Sequence, residues 1–188
     1  RPPSTECWIC LDVDPDDEGK LIVRDCSCRG DDAGFAHISC LVSYADRKTR
    51  DLIYADRKPG EFLDTGDGDF IEPWRDCPHC RQYYQHQVAL DMANSFLSFI
   101  DENYPGSEVL KLGGFSMIIK ITNTIVSMDY EKKPELREEG KRAASQMISA
   151  IQESGEDINE QLLFAYTALA TFSEGDNTRD GYEMALHY

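Results

Sequence analysis

The residues with metal-binding chemistry fall in four close pairs. Cys7 and Cys10 are separated by two residues, Cys26 and Cys28 by one, and His37–Cys40 and Cys77–Cys80 by two each. The pattern uses all seven cysteines of the chain and one of its four histidines. Zinc takes a tetrahedron of thiolate and imidazole donors, and a C-x2-C turn delivers two of them from one tight bend. Eight donors complete two tetrahedra. Such ions are structural, because a filled tetrahedron leaves no position where water could be activated. A disulfide framework would leave one of the seven cysteines over. Metal-bound thiolates fit a reducing compartment, cytoplasmic or nuclear. From spacing alone the pairs could share ions in sequence or interleaved, and both arrangements stay open.

The elements around these pairs divide the chain in two. Residues 1–84 are rich in Asp, Gly, Cys and Arg with little sustained periodicity, as expected of a small domain whose core is partly metal. Residues 85–188 contain no cysteine and read as successive amphipathic helices. Gln85–Asn103 is the first, stopped by Tyr104-Pro105-Gly106-Ser107. Glu108–Asp129 is the second, weakened by Gly113-Gly114. Glu135–Glu153 follows Pro134, Ile158–Phe172 is built around Leu162, Leu163, Tyr166 and Leu169, and Asp180–Tyr188 starts a fifth. Helices of this length joined by short turns pair as hairpins. The stretch Ala165–Ala170, then Gly175, then Ala185-Leu186 resembles a tetratricopeptide repeat over less than one full repeat; an ordinary helical bundle accounts for it equally well.

Net charge limits the partners. With 35 acidic against 19 basic side chains the chain carries a formal charge of −16, which repels a phosphate backbone and excludes nucleic acid as a natural partner. The acidic run from Asp12 to Glu18 lacks the ligand spacing and glycine of a calcium loop and reads as a solvated loop. The most apolar stretch, Phe115–Met128, is interrupted by Lys120, Thr122 and Asn123; it reads as too short and too polar to span a bilayer, so a soluble chain with no membrane span is expected. No signal-peptide pattern is visible near the start. The chain begins at Arg1 and still reads as helix at Tyr188, which suggests a segment of a longer protein.

The residues beside the ligand pairs carry a family resemblance. Cys7-Trp8-Ile9-Cys10-Leu11-Asp12, Cys28-Arg29-Gly30, His37-Ile38-Ser39-Cys40-Leu41 and Cys77-Pro78-His79-Cys80-Arg81 together resemble the RING-CH (RING-variant) finger of the RING superfamily, over roughly residues 5–83. The PHD finger shares the ligand order but has a wider second pair than Cys26-x-Cys28 and a shorter run to the histidine. It also has an aromatic two residues before the seventh ligand, where this chain has Arg75 and places Trp74 one residue too early. One departure from the RING-CH pattern is the run of 36 residues between Cys40 and Cys77, which implies an insertion near residues 51–69.

The resemblance implies a small zinc-stabilised α+β cross-brace, and the periodicity places an all-α region of helical hairpins after it. The resemblance implies that Cys7, Cys10, His37 and Cys40 bind one Zn2+ and Cys26, Cys28, Cys77 and Cys80 a second. It also implies a ubiquitin ligase that docks a ubiquitin-charged conjugating enzyme and orients its thioester, forming no covalent intermediate of its own. In that family the docking surface would be Ile9, Leu41, Tyr44 (where tryptophan is commoner) and Pro78. Arg81 would then bridge the enzyme and ubiquitin through its planar fork of donors. The bland alternatives are that Ile9 and Leu41 pack the core, that Pro78 shapes the turn and that Arg81 is solvated. His79 is expected to point to solvent, while His86 and His187 carry no assigned role. Two other functions compete: a PHD-like reader of basic histone tails, and a non-catalytic zinc scaffold for protein interactions. On the ligase reading a protein substrate would be recruited by the helical region.

Overall fold

The first long element grows out of the third ligand pair. Ile38, Leu41, Ala45 and Thr49 recur at helical spacing and are all buried on one face of α1 (Ile38–Ala55). The computed structural model describes residues 5–30, 33–55, 70–128, 134–154 and 159–173, which fall into two units, Arg1–Phe96 and Leu97–Tyr188.

In the first unit α1 is followed by a single helical turn, α2 (Glu72–Arg75), with Pro73 as its second residue, where no intrahelical N–H is needed. Trp74 on that turn is 1% exposed. Its indole N–H donates to the Thr49 hydroxyl at 2.8 Å, and its ring lies 5.6 Å from that of Phe96. Phe96 belongs to α3 (His86–Asn103), whose first half buries Val88, Ala89, Leu90, Met92 and Ala93 as well. Trp74 therefore ties three helices together, with its one polar atom satisfied. Before α1 the described residues run as loops. Among the described residues the β component expected for this unit is reduced to two isolated antiparallel bridges, Val23 with Ala36 and Asp76 with Tyr83.

The second unit holds the rest of α3 and three further helices: α4 (Glu108–Met128), α5 (Pro134–Ser154) and α6 (Asn159–Ser173). α5 packs against both α4 and α6. The three meet at Gly140, where Thr122 of α4 and Phe172 of α6 press against the α5 backbone. The Thr122 hydroxyl is buried but donates to the Ile118 carbonyl at 2.7 Å, so no polar group is stranded there.

α4 continues through Gly113-Gly114, because burial of Leu112, Met117, Ile118 and Ile119 around them offsets the weak helix propensity of glycine. It is also longer than the apolar stretch Phe115–Met128. The 20 residues Glu108–Ser127 are long and apolar enough to cross a membrane by length and composition, which corrects the expectation of a segment too short and too polar. Half of that stretch is buried inside the second unit, as in the core helix of a bundle.

The division between units falls inside α3. α1 extends to Ala55, so the first residues of the 51–69 stretch are helix, and residues 56–69 lie outside the described residues. The expected helix Asp180–Tyr188 lies outside them too, together with Gly175, Ala185 and Leu186 of the repeat-like segment and with His187.

Candidate metal centres

The eight ligand side chains come together in two groups of four. Cys7, Cys10, His37 and Cys40 offer ligand atoms within 4.8 Å of one another, and Cys26, Cys28, Cys77 and Cys80 do the same. Pair one thus joins pair three, and pair two joins pair four, which is the interleaved alternative. None of the seven thiols is in a disulfide.

The outer two C-x2-C turns are built alike. In the first, the Cys7 N–H donates to the Asp12 carbonyl and the Leu11 N–H to the Cys7 carbonyl, both at 2.8 Å. In the last, the Cys77 N–H donates to Gln82 and the Arg81 N–H to Cys77, both at 2.9 Å. The residue after each second cysteine takes a left-handed backbone, φ 61° at Leu11 and 57° at Arg81. Side chains rarely adopt that conformation, and here the closed turn imposes it.

The middle of the chain is held by different devices. His37 precedes α1, and its carbonyl accepts the Leu41 N–H that starts the helix, which places Cys40 on the first turn. The His37 Nε2–H donates to the Asp14 carbonyl at 2.7 Å. That bond fixes the tautomer and leaves the Nδ1 lone pair facing Cys10 Sγ at 3.4 Å and Cys40 Sγ at 3.8 Å. The acidic run supplies this carbonyl and is itself anchored. Asp16 accepts from the Ser39 hydroxyl at 2.7 Å and from the Lys20 N–H at 2.8 Å. At the second group Arg24 donates to the Gly30 carbonyl at 2.8 Å while its guanidinium covers the Phe35 ring. Gly34, at φ 78°, passes so close to Cys26 and Cys28 that an added Cβ would lie 2.9 Å from Cys26 Sγ.

These distances suit a metal. Tetrahedral bonds of ~2.3 Å to sulfur give edges of roughly 3.8 Å, somewhat less where one donor is nitrogen. The second group shows 3.6 Å between Cys28 Sγ and Cys77 Sγ. The thiol energetics agree. Burial pushes Cys7 up, but the N–H groups of Cys10, His37 and Ile9 outweigh it and bring it down to about 7. Burial, followed by the Cys10 thiol, pushes Cys40 up to about 12. Burial is also the leading cause raising Cys26 and Cys28. Thiols this close resist ionising beside one another, and a divalent cation reverses that preference.

The other sequence candidates separate. Ile9, Tyr44 and Pro78 are half-buried and so partly open to a partner. Leu41 is 4% exposed and lies on the buried face of α1. The Arg81 side chain is 73% exposed and its guanidinium pairs with Glu72 at 3.2 Å. Sequence reasoning passed over Trp8, whose ring meets Tyr44 at 5.7 Å and His79 at 4.4 Å, both edge-on. His79 is exposed, yet it packs against Trp8, joining the first turn to the last. His86 accepts no ligand role; its Nδ1 lies 2.8 Å from an Asp25 carboxylate oxygen.

Residues 7–52 match the family model of the RING-variant domain. Residues 7–52 therefore carry a RING-variant match, and the structure brings the Cys/His residues around them into two cross-braced groups. The matched stretch contains the first six ligand positions. Cys77 and Cys80 lie beyond it, and the structure brings them to Cys26 and Cys28. No curated protein and no solved structure matches the chain.

Proposed function

We propose that the first unit holds two structural Zn2+ ions and acts as a RING-type ubiquitin ligase module. The observation that carries this reading is the interleaved closure of the four pairs, three of which lie within the RING-variant match. In this reading Cys7, Cys10, His37 and Cys40 hold one ion and Cys26, Cys28, Cys77 and Cys80 the other. The ions supply rigidity, since all four positions of each are filled by protein.

The surface between the two outer turns takes the conjugating enzyme. Ile9, Tyr44 and Pro78 offer partly exposed apolar area there, with Trp8 and His79 joining them through ring contacts. Arg81 is exposed beside them and is free to swing toward ubiquitin once it leaves Glu72. Holding the charged enzyme and ubiquitin in one pose raises the rate by orientation. A substrate would be brought by the helical second unit. The reduced thiols this requires suit the cytoplasm or nucleus.

The test is an autoubiquitination assay on zinc-loaded protein with a panel of conjugating enzymes. Chain formation that falls when Ile9→Ala or Arg81→Ala is introduced supports the reading. No transfer with any member of the panel, from protein shown to hold two zinc ions, removes it.

A further inference from the structure

In the stretch from Leu11 to Lys20 every residue is exposed except Asp16, which is half-buried. Its Oδ1 accepts the Lys20 N–H at 2.8 Å and the Glu18 N–H at 3.1 Å, and its own N–H donates to the Lys20 carbonyl at 3.0 Å. Those bonds close a local turn. Oδ2 reaches out of that turn and accepts the Ser39 hydroxyl at 2.7 Å. Ser39 is the second residue of α1, a helix with no acidic residue of its own in the first turn. A carboxylate beside a helix start is favoured by the dipole there. A second crossing lies two residues away on both segments. The Asp14 carbonyl accepts the Nε2–H of His37 at 2.7 Å. Residues 14 and 16 are thus bonded to residues 37 and 39, and Pro15 lies between the first two. The proline ring fixes its own φ and confines Asp14 to extended backbone, so little freedom remains between the Asp14 carbonyl and the Asp16 anchor. On its other side the Asp14 N–H donates to the Asp12 carboxylate at 3.1 Å, a bond within the loop. His37 is buried, but Asp14 is exposed and brings no burial of its own to hold the carbonyl in place.

We propose that Asp16 is a positioning residue for the Cys7, Cys10, His37 and Cys40 centre: clasped to Ser39, it holds the Asp14 carbonyl on the ring N–H of His37. The inference rests on the metal reading above. An oxygen on that N–H orients the imidazole, commits its proton to Nε2 and makes Nδ1 a better donor to the ion. The carbonyl belongs to the backbone and no substitution removes it, so the sequence controls it through the side chain that anchors it. Ser39 lies between His37 and Cys40, so the same clasp bears on the segment that carries two of the four ligands. The Cys26, Cys28, Cys77 and Cys80 centre contains no histidine and does not depend on it.

The test uses the full chain loaded with zinc, and with cobalt for visible absorption, which separates a three-thiolate from a four-thiolate centre. Zinc release to a chelating dye is followed, together with solvent exchange of the His37 Nε2–H by NMR. Asp16→Ala should release one of the two ions roughly 10- to 100-fold faster, with the other unchanged. The cobalt absorption of the three-thiolate centre should shift while that of the four-thiolate centre stays, and the ring N–H should exchange faster. Ser39→Ala removes the crossing bond but keeps the local turn, and it should act on the same ion in the same direction. Asp16→Asn keeps an oxygen that can accept and should restore part of the loss. Asp17→Asn removes the same charge from an exposed carboxylate that makes no hydrogen bond or ion pair among the described residues, and both ions should leave at the wild-type rate. Wild-type release of both ions from Asp16→Ala overturns the proposal, and so does equal acceleration of both, which reports a general loosening. Wild-type release from Ser39→Ala overturns it too, because Asp16 then serves only its own turn. An Asp17→Asn loss equal to that of Asp16→Ala would trace the effect to net charge, with the same consequence. A wild-type chain that binds fewer than two ions would instead fail the metal reading, and this inference with it.

Discussion

Gly34 sets the sharpest demand on the second centre. An alanine there meets two separate costs. The backbone at φ 78° is in the left-handed region, where a side chain costs about 1–2 kcal/mol. The added Cβ would also lie 2.9 Å from Cys26 Sγ and from Cys28 Cβ, and 3.0 Å from Cys28 Sγ. Those atoms belong to two metal ligands and cannot withdraw without opening the tetrahedron. Losing an outer support of a metal site typically costs 10- to 100-fold in affinity, about 1.4–2.7 kcal/mol. Gly34→Ala should therefore cost roughly 2.5–4.5 kcal/mol in all, with the ion of the second group the first to leave. Gly19 provides the control. Its φ is 75°, and nothing lies within 4 Å of the Cβ it would carry, so Gly19→Ala meets the conformational cost alone. The assay is zinc release under chelator competition, with urea unfolding of the same samples. A Gly34→Ala protein that keeps both ions and unfolds like Gly19→Ala would refute the close-approach argument.

Three further outcomes are expected. Glu72→Gln should free Arg81 from its exposed ion pair and raise ubiquitin discharge by up to about 5-fold, the value of a pair worth at most ~1 kcal/mol; the same rise in an Arg81→Ala background would show that the pair is not responsible. Gly140→Ala gains about 1 kcal/mol in helix propensity but drives a Cβ to 2.6 Å from the Phe172 ring and 2.9 Å from the Thr122 hydroxyl. It should lose on the order of 1–2 kcal/mol net in urea unfolding, and a stabilised protein would mean that the three helices do not meet as described. Chelating the metal should change tryptophan fluorescence strongly, since Trp8 and Trp74 both lie in the first unit, while far-UV circular dichroism keeps most of its helical signal from α4, α5 and α6. Loss of both signals in parallel would contradict that division.

The ligand positions were readable because a metal site needs particular residue types at short spacings. The pairing was not, since sequential and interleaved closure use the same four turns. The helices from α3 onward were legible through their long apolar periods. α1 is hidden in the sequence although Ile38, Leu41, Ala45 and Thr49 carry a helical period, because that period is short and begins inside a metal-ligand pair. Asp14 acts through its backbone carbonyl, which no side-chain pattern reveals. The need for glycine at residue 34 follows from where Cys26 and Cys28 lie in space.

The long run between Cys40 and Cys77 is the feature that departs most from the family pattern, and the cross-brace explains why the fold tolerates it. Closure entropy rises only as the logarithm of loop length, so tripling a loop costs about 1 kcal/mol. A structural zinc site contributes roughly 10–16 kcal/mol of apparent binding energy. The part of this run nearest Cys40 is not free loop at all, because α1 carries it to Ala55 as helix. Its other end is pinned before the last pair is reached: Trp74 on α2 bonds to Thr49 of α1 and packs on Phe96. The loop that Cys77 and Cys80 must close is therefore shorter in effect than the sequence count suggests. If so, Trp74→Phe, which keeps the ring packing but drops the bond to Thr49, should weaken zinc retention at the second group more than at the first. The first group's four ligands all precede that contact in the chain, and equal loss from both would show that the pinning does not act through it.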